Sequence, residues 1–216
     1  MNSTAASVGF QYRNRADQHE AALTGMWLFL ATEVLFFGGL LFCFVVGRHA
    51  NPLAFDAAAR ETALWAGTVN TVLLLTSSLA YAAGIVFMRA GNSRRLMHCC
   101  WPALALGGAF IALKFGVEWP GDIAQHLFPA AASFKIGGAL EGGARLFFVF
   151  YFVSTGLHGL HMLIGVALVI WIMLRARRGE FSAHYHTPVV MVGLYWSFVD
   201  IVWLTLYPMI YLVGRG

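Results

Sequence analysis

The sequence has few charged residues, and this shortage excludes a soluble globular protein. Asp, Glu, Lys and Arg make up 11% of the 216 residues, whereas apolar residues reach 59%. A soluble chain carries roughly a quarter charged residues. The shortage is also patterned, since residues 62–88 and 146–174 contain no Asp, Glu, Lys or Arg. Each stretch exceeds the ~20 residues that a helix needs to span the hydrocarbon core of a membrane.

Three further stretches contain a single charged residue each. They are residues 21–47 with Glu33, residues 96–117 with Lys114 and residues 181–214 with Asp200. Such spans must be helices, because backbone amides in lipid can pair only with one another, and the ~10-residue alternating segments of a transmembrane barrel are absent. The sequence therefore predicts an all-α, polytopic membrane protein built as a bundle of five transmembrane helices.

The predicted boundaries follow from the charge-poor stretches and from the turn residues between them. We expect a polar N-terminal arm over residues 1–21 and a single membrane domain over residues 22–216. The predicted helices cover about 22–46, 62–88, 96–118, 144–175 and 188–213. The connection with Asn51-Pro52 is predicted to be a loop, and Trp119-Pro120-Gly121 is predicted to end the third helix.

Cysteines are also scarce, and no metal-ligand spacing is present. Cys43, Cys99 and Cys100 lie in or near predicted helices, so neither a disulfide framework nor a zinc site is indicated. Nothing resembles a nucleotide-binding loop, a nucleophile with its base or a cofactor-attachment motif. We therefore predict no catalytic residue and no metal site in this chain.

The net charge of +4 does not indicate a nucleic-acid partner, because the basic residues cluster at the ends of the predicted helices. The richer side has eight: Arg13, Arg15, Arg89, Arg94, Arg95, Arg175, Arg177 and Arg178. This side includes two very short loops, where the positive-inside rule is strongest. We therefore predict a cytoplasmic N-terminus and a C-terminus outside.

Glu33 is predicted to lie about midway through the first span. A charge there would cost on the order of 2.5 to 3.5 kcal/mol even on the gentlest insertion scale, so the carboxyl must be protonated or partnered. One interpretation is a neutral acid that forms a hydrogen bond to a neighbouring helix. The other is a proton-transfer group or a polar anchor in a cleft, and the sequence leaves both open.

His158 and His161 are three residues apart and therefore share one face of the fourth span. A haem or copper site would need further ligands from facing helices, and no other span contributes a histidine at mid-membrane. A hydrogen bond from one of these histidines to Glu33 would satisfy both groups.

Two other sets of charged residues lie within the spans. Asp200 either pairs with a neighbouring histidine, arginine or tryptophan N–H or has a transport role. Glu118 is predicted near the outer interface, where an i, i+4 ion pair with Lys114 is the simplest account and needs no function.

Four motifs, taken together and in this order, resemble the cytochrome c oxidase subunit III family, in its five-helix bacterial form. The most distinctive is the paired-histidine segment, and Gly116–Trp119 is a weaker match in the third span. The four motifs are residues 25–37 (GMWLFLATEVLFF), 70–78 (NTVLLLTSS), 155–165 (TGLHGLHMLIG) and 195–204 (YWSFVDIVWL).

The resemblance implies a fold with a V-shaped cleft that holds phospholipid, and it implies a role without a catalytic centre. Subunit III of a proton-pumping haem-copper terminal oxidase packs on subunit I, supports proton uptake on the inner side and protects against inactivation during turnover. Haem and copper are then expected in partner subunits, which include subunit II and small subunits, and bound phospholipid in this chain. The expected location is the bacterial inner membrane, and the smaller arm of the V is expected to be missing unless a partner supplies it.

The resemblance also implies which residues matter. Glu33, His158, His161 and Asp200 are expected to be structural, to line the lipid cleft or to take part in proton movement. Arg178, His184 and His186 are candidate contacts to lipid headgroups. Where many members have a glutamate early in the last helix, this chain has Val190, so that role is not transferred.

Two alternatives remain at the level of the sequence. One is a related component associated with nitric oxide reductase. Within the oxidases, the motifs do not distinguish cytochrome c oxidases from quinol oxidases, because the electron donor binds to other subunits. The other, from a different functional class, is an independent proton-coupled transporter that uses Glu33, His158, His161 and Asp200 as a relay.

Overall fold

The structure, a computed structural model, describes residues 14–183 and 185–215, and it contains five helices that are long and apolar enough to cross a membrane. The predicted all-α, five-span architecture is therefore confirmed. In chain order the α-helices are α1 (Arg15–Ala50), α2 (Pro52–Glu61), α3 (Leu64–Arg89), α4 (Ser93–Leu113), α5 (Trp119–Ala124), α6 (Glu141–Arg177) and α7 (Thr187–Tyr207). Two π-helical segments, Lys114–Glu118 and Pro208–Leu212, and a 3-10 turn, Gly138–Leu140, complete the set.

The first helix begins earlier than the sequence predicts. Residues 1–13 of the predicted polar arm lie outside the described residues, but α1 already starts at Arg15. The side-chain oxygen of Asn14 accepts a hydrogen bond of 2.9 Å from the backbone N–H of Asp17. This is the usual N-cap arrangement, which satisfies one of the free amides at a helix start, so a polar residue outside the hydrocarbon core defines this end.

The predicted loop around Asn51-Pro52 is wrong, because Pro52–Glu61 forms α2. Proline at the first helical position has the φ angle that a helix needs and loses no intrahelical hydrogen bond there. The buried residues of α2 are Ala54, Phe55, Ala58 and Ala59. Their spacing places them on one face of a short helix, which packs on α6.

The third span also continues past its predicted end at Trp119-Pro120-Gly121. After α4, the π-helical segment Lys114–Glu118 leads directly into α5, and the N–H of Trp119 donates to the carbonyl of Lys114. Pro120 falls in the first turn of α5, where a missing N–H is tolerated. The proline therefore does not stop the helix but follows a local change in its hydrogen-bond register.

Four of the spans pack as a bundle, and the fifth lies along its outside. Helices α3 and α4 pair closely, α7 packs against α3 and α6, and α4 also packs against α6. In their most apolar windows, α7 has 61% of its residues buried and α1 only 17%. Because α1 contacts mainly α6 and α7, its remaining surface is free for lipid or for a partner protein.

The connections between the helices lie at two opposite ends of the bundle. Helix α2 and the connection over residues 125–137 lie at one end, here called the loop end, together with the second π-helical segment. The short connections between α3 and α4 and between α6 and α7 lie at the opposite end. If the predicted orientation holds, the loop end faces outside.

A glycine to alanine substitution tests the close packing of α2 on α6. A Cβ atom at Gly143 would lie 2.6 Å from the Cβ of Ala54 and 2.9 Å from that of Asn51, whereas a Cβ at the adjacent Gly142 would meet nothing within 4 Å. We expect Gly143→Ala to destabilise the protein by about 1–3 kcal/mol through overpacking. Thermal unfolding of the purified protein in detergent measures this loss.

The matched control is Gly142→Ala, which removes a glycine from the same turn without a steric clash. It should leave the unfolding temperature unchanged or raise it slightly, because alanine favours the helix by up to about 1 kcal/mol. Equal unfolding temperatures for the two variants would contradict the packing described for α2.

Candidate functional site

The acid in the middle of α1 is joined to the paired-histidine segment of α6. The Nε2 atom of His161 lies 3.2 Å from Oε2 of Glu33, and the two side chains are 13% and 18% exposed. The predicted hydrogen bond between Glu33 and one of the two histidines is therefore confirmed. It joins α1 to the bundle at the level of mid-membrane.

The other ring nitrogen of His161 determines how many protons the Glu33–His161 pair holds. Nδ1 lies 2.8 Å from the backbone carbonyl of Leu157, which can only accept a hydrogen bond, so Nδ1 carries a hydrogen. The contact between Nε2 and Glu33 then requires one further proton. Either the protonated acid donates to the neutral imidazole, or the imidazolium donates to the carboxylate, and the pair has no net charge in both cases.

Aromatic side chains hold the imidazole of His161 in place. Phe37 of α1 meets it edge-on with ring centroids 5.3 Å apart, and Tyr195 of α7 lies parallel at 6.5 Å. The hydroxyl of Tyr195 donates to the backbone carbonyl of His161 at 3.0 Å. Residues from α1, α6 and α7 therefore converge on a partly exposed acid–imidazole pair.

His158 lies in a different environment, although it is only three residues away. It is fully buried and packs between Phe110 of α4 and Trp203 of α7, with ring centroids 5.3 and 5.1 Å away. Neither ring nitrogen has a hydrogen-bond partner within the part of the chain that the structure describes. The structure thus assigns the contact with Glu33 to His161 and places His158 in the core.

Asp200 of α7 does not form the pairing that the sequence suggested. Within residues 14–183 and 185–215, neither carboxyl oxygen has a hydrogen-bond partner, although the residue is buried. Ser78 of α3 faces Asp200, but the two side chains form no hydrogen bond. Of the two interpretations that the sequence left open, pairing with a histidine, arginine or tryptophan N–H is therefore wrong for the described residues. The indole N–H of Trp203 donates to Thr71.

A second polar cluster lies at the loop end, and the sequence indicated only a part of it. The predicted ion pair of Lys114 and Glu118 is confirmed, with Nζ 2.9 Å from Oε1. Both side chains are fully buried within the protein. Asp122, Tyr151 and Tyr211 complete the cluster. The i, i+4, i+8 spacing of Lys114, Glu118 and Asp122 places the three residues on one helix face, so the sequence could have indicated Asp122 as a further member of the cluster.

The candidate headgroup contacts lie at the opposite end. Arg178 caps α6, and its side chain is 75% exposed. His186 precedes α7 and is half-buried, with no hydrogen-bond partner for Nδ1 among the described residues. His184 lies outside the described residues. Of the two described residues of this set, Arg178 is the more exposed, and its Nη1 lies 4.0 Å from Oε1 of Glu180.

Within residues 14–183 and 185–215, no three His, Cys, Asp or Glu side chains gather closely enough to hold a metal ion.

The sequence is similar to known proteins that share one name. A protein from Thermostichus vulcanus named cytochrome c oxidase subunit 3 is 30% identical over 220 residues, which covers 100% of each chain. The protein of the same name from Alkalihalophilus pseudofirmus is 27% identical over 195 residues, which is 89% of this chain and 86% of the relative. That from Locusta migratoria is 30% identical over 190 residues, or 88% and 68% of the two chains.

The family description that matches this sequence covers nearly all of it. Residues 10–215 fit the sequence model of cytochrome c oxidase subunit III. The match includes the helix with Glu33, the paired-histidine segment and the last helix, which is the set of motifs that carried the resemblance. This multi-pass membrane protein belongs to the cytochrome c oxidase subunit III family.

Proposed function

We propose that this chain is the non-catalytic subunit III of a proton-pumping haem-copper terminal oxidase in the bacterial inner membrane. The observation that carries the proposal is the Glu33–His161 pair, formed by two of the family's motifs at mid-membrane. Haem and copper belong to the partner subunits in this proposal. The chain's own chemistry is confined to holding protons, hydrogen bonds and lipid.

Subunit I is the proposed direct partner, with subunit II and small subunits in the same complex. The outer surface of α1 supports this role, since large apolar side chains cover it, with Trp27, Leu35 and Phe42 60%, 77% and 68% exposed. Apolar surface of this kind is stable against either acyl chains or another membrane helix. The proposed complex thus places α1 between lipid and the rest of the oxidase.

Phospholipid is proposed to bind beside the Glu33–His161 pair. The pair is partly exposed at the junction of α1 and α6, and it has no net charge, so acyl chains can lie against it without separating charges in a low dielectric. Arg178, at the end of the same helix α6, is exposed and suited to the anionic headgroup. One lipid lying along α6 would then use both features.

Support for proton uptake follows from the same pair. If Glu33 and His161 hold α1 against the bundle, they also fix the surface that subunit I packs on. Proton entry into subunit I occurs on the inner side in this proposal, which corresponds to the end opposite the loop end. The pair therefore contributes indirectly, by keeping the neighbouring subunit and its lipid in place during turnover.

The subunit assignment is tested by purification of the complex in mild detergent. We expect a tagged form of this chain to co-purify with a haem-bearing subunit, and the complex to reduce O₂. A haem spectrum together with a subunit inventory measures both. A complex that reduces nitric oxide but not O₂ would replace the oxidase by a reductase, and recovery of the chain alone would contradict any subunit role.

The role of the acid–imidazole pair is tested by Glu33→Ala. We expect normal haem content and a normal initial rate, but a severalfold smaller number of turnovers before activity decays. The loss of one hydrogen-bond partner leaves a partly buried imidazole nitrogen unsatisfied, at a cost of up to about 1–3 kcal/mol. The measurement is O₂ consumption by the purified complex, followed until inactivation.

Three further variants make this result specific. Val34→Ala removes an exposed side chain from the adjacent position and should leave the endurance unchanged. His161→Ala should match Glu33→Ala, and the double variant should be no worse than either, because both changes break the same contact. Additive losses, or full endurance in Glu33→Ala, would show that the pair does not protect turnover.

A further inference from the structure

The buried cluster at the loop end has no part in the proposed function. It consists of Lys114, Glu118, Asp122, Tyr151 and Tyr211, and each is at most 4% exposed. The five residues come from four elements, which are the first π-helical segment, α5, α6 and the second π-helical segment. Short π-helical turns are frequent at functional sites, and both of those in the described chain contribute to this cluster.

Lys114 uses all of its hydrogens inside the cluster. Its Nζ atom lies 2.9 Å from the hydroxyl of Tyr151, 2.7 Å from that of Tyr211 and 2.9 Å from Oε1 of Glu118. An ammonium group has three hydrogens and no lone pair, so these three contacts account for it completely. Both tyrosine oxygens therefore accept a hydrogen bond from the lysine.

The tyrosine hydroxyls then have one hydrogen each to donate. Tyr211 donates to Oε1 of Glu118 at 2.5 Å. Tyr151 lies between two carboxyl groups, 2.9 Å from Oε1 of Glu118 and 2.6 Å from Oδ2 of Asp122. Its single hydrogen can serve only one of these two contacts.

One additional proton resolves the conflict at Tyr151. If both acids were ionised, two oxygens without a hydrogen between them would lie within 3 Å in a buried site. The cluster would also contain one cation and two anions, and an uncompensated buried charge is costly. With one acid protonated, every contact has a hydrogen and the cluster is neutral.

The geometry favours Asp122 as the protonated acid. Oε1 of Glu118 receives the ammonium of Lys114 and both tyrosine hydroxyls, which suits a carboxylate. Oδ2 of Asp122 contacts the hydroxyl of Tyr151. When Tyr151 donates its hydrogen to Glu118, the hydroxyl oxygen of Tyr151 still has a free lone pair that can accept a hydrogen bond from Asp122. Asp122 can therefore donate to Tyr151, Tyr151 to Glu118, and no contact is left over.

Two other titratable groups face the cluster. Lys135 approaches Asp122 from the connection at the loop end, but its ammonium is paired with Glu61 at 2.5 Å and with Gln125 at 2.9 Å. His158 of α6 faces Lys114 from the core side. A positive charge on His158 beside Lys114 would be unfavourable, so a neutral His158 leaves the charge count of the cluster unchanged.

We propose that these five residues form a proton-binding site, in which Asp122 holds one exchangeable proton and Tyr151 connects it to the Lys114–Glu118 ion pair. The site lies apart from the Glu33–His161 pair and does not depend on the oxidase role. It keeps the buried cluster neutral, and it gains or releases a proton when a charge in the cluster is removed.

Infrared spectroscopy of the full-length protein, purified with the subunits that accompany it, tests the proposal directly. A protonated carboxyl has a C=O stretch at higher frequency than a carboxylate, and ¹³C at the side-chain carboxyl of aspartate shifts it. We expect the difference spectrum of wild type minus Asp122→Asn to contain one such band that shifts with labelled aspartate. Labelled glutamate should leave it unchanged.

Charge variants supply the decisive comparison. In Glu118→Gln the aspartate band should disappear, because Asp122 must ionise to balance Lys114. In Lys114→Met a second band should appear that shifts with labelled glutamate, because Glu118 must then take up a proton. Asp122→Asn should retain the unfolding temperature, since its amide can still donate to Tyr151, whereas Asp122→Leu should lower it.

The outcomes that overturn the proposal are equally specific. Absence of an aspartate band in the Asp122→Asn difference spectrum would show that both acids are ionised. A band in that same difference spectrum that shifts with labelled glutamate instead of labelled aspartate would place the proton on Glu118. Retention of the aspartate band in Glu118→Gln would show that the proton does not respond to the charge of the cluster.

Discussion

An acid in the middle of a membrane span must be neutral or paired, because lipid supplies no hydrogen-bond partner and little dielectric screening. In this chain the constraint decides how α1 joins the bundle. Glu33 reaches His161 of α6, and the second ring nitrogen of that histidine is already committed to the carbonyl of Leu157. One proton shared by Glu33 and His161 leaves the pair with no net charge. The hydrogen bond therefore attaches α1, which has little buried surface, to α6 at a fixed position along the bundle.

The same constraint operates more strictly at the loop end. There the side chains of Lys114, Glu118 and Asp122 are buried together, and two tyrosines from distant parts of the chain share their hydrogens. The two π-helical segments bring these groups into reach, since each changes the direction of side chains relative to a regular helix. The bundle therefore has one polar junction at mid-membrane and a second at its loop end, and each joins helices that are far apart in sequence.

Much of the architecture was accessible from the sequence because it follows from local composition. Charge-free runs of sufficient length required helices, and the four motifs indicated the family. The short helix α2 was missed, although Pro52 and the spacing of Ala54, Phe55, Ala58 and Ala59 were visible. A helix of ten residues on a surface is weakly encoded, because its stability comes from packing on α6, which no local pattern displays. The continuation through Pro120 was missed for a related reason, since the π-helical turn before it depends on tertiary contacts.

The sequence by itself determined the five spans, the presence of acids and imidazoles inside them and the expectation that Glu33 pairs with a histidine of α6. Only the tertiary structure decided that the histidine is His161, that His158 packs between Phe110 and Trp203, and that Asp200 forms no hydrogen bond to either histidine. It also joined Tyr151 and Tyr211 to the Lys114–Glu118 pair. The physical reason is that hydrophobicity sets the depth of a residue in the membrane, whereas hydrogen-bond partners depend on how the helices rotate and pack against one another.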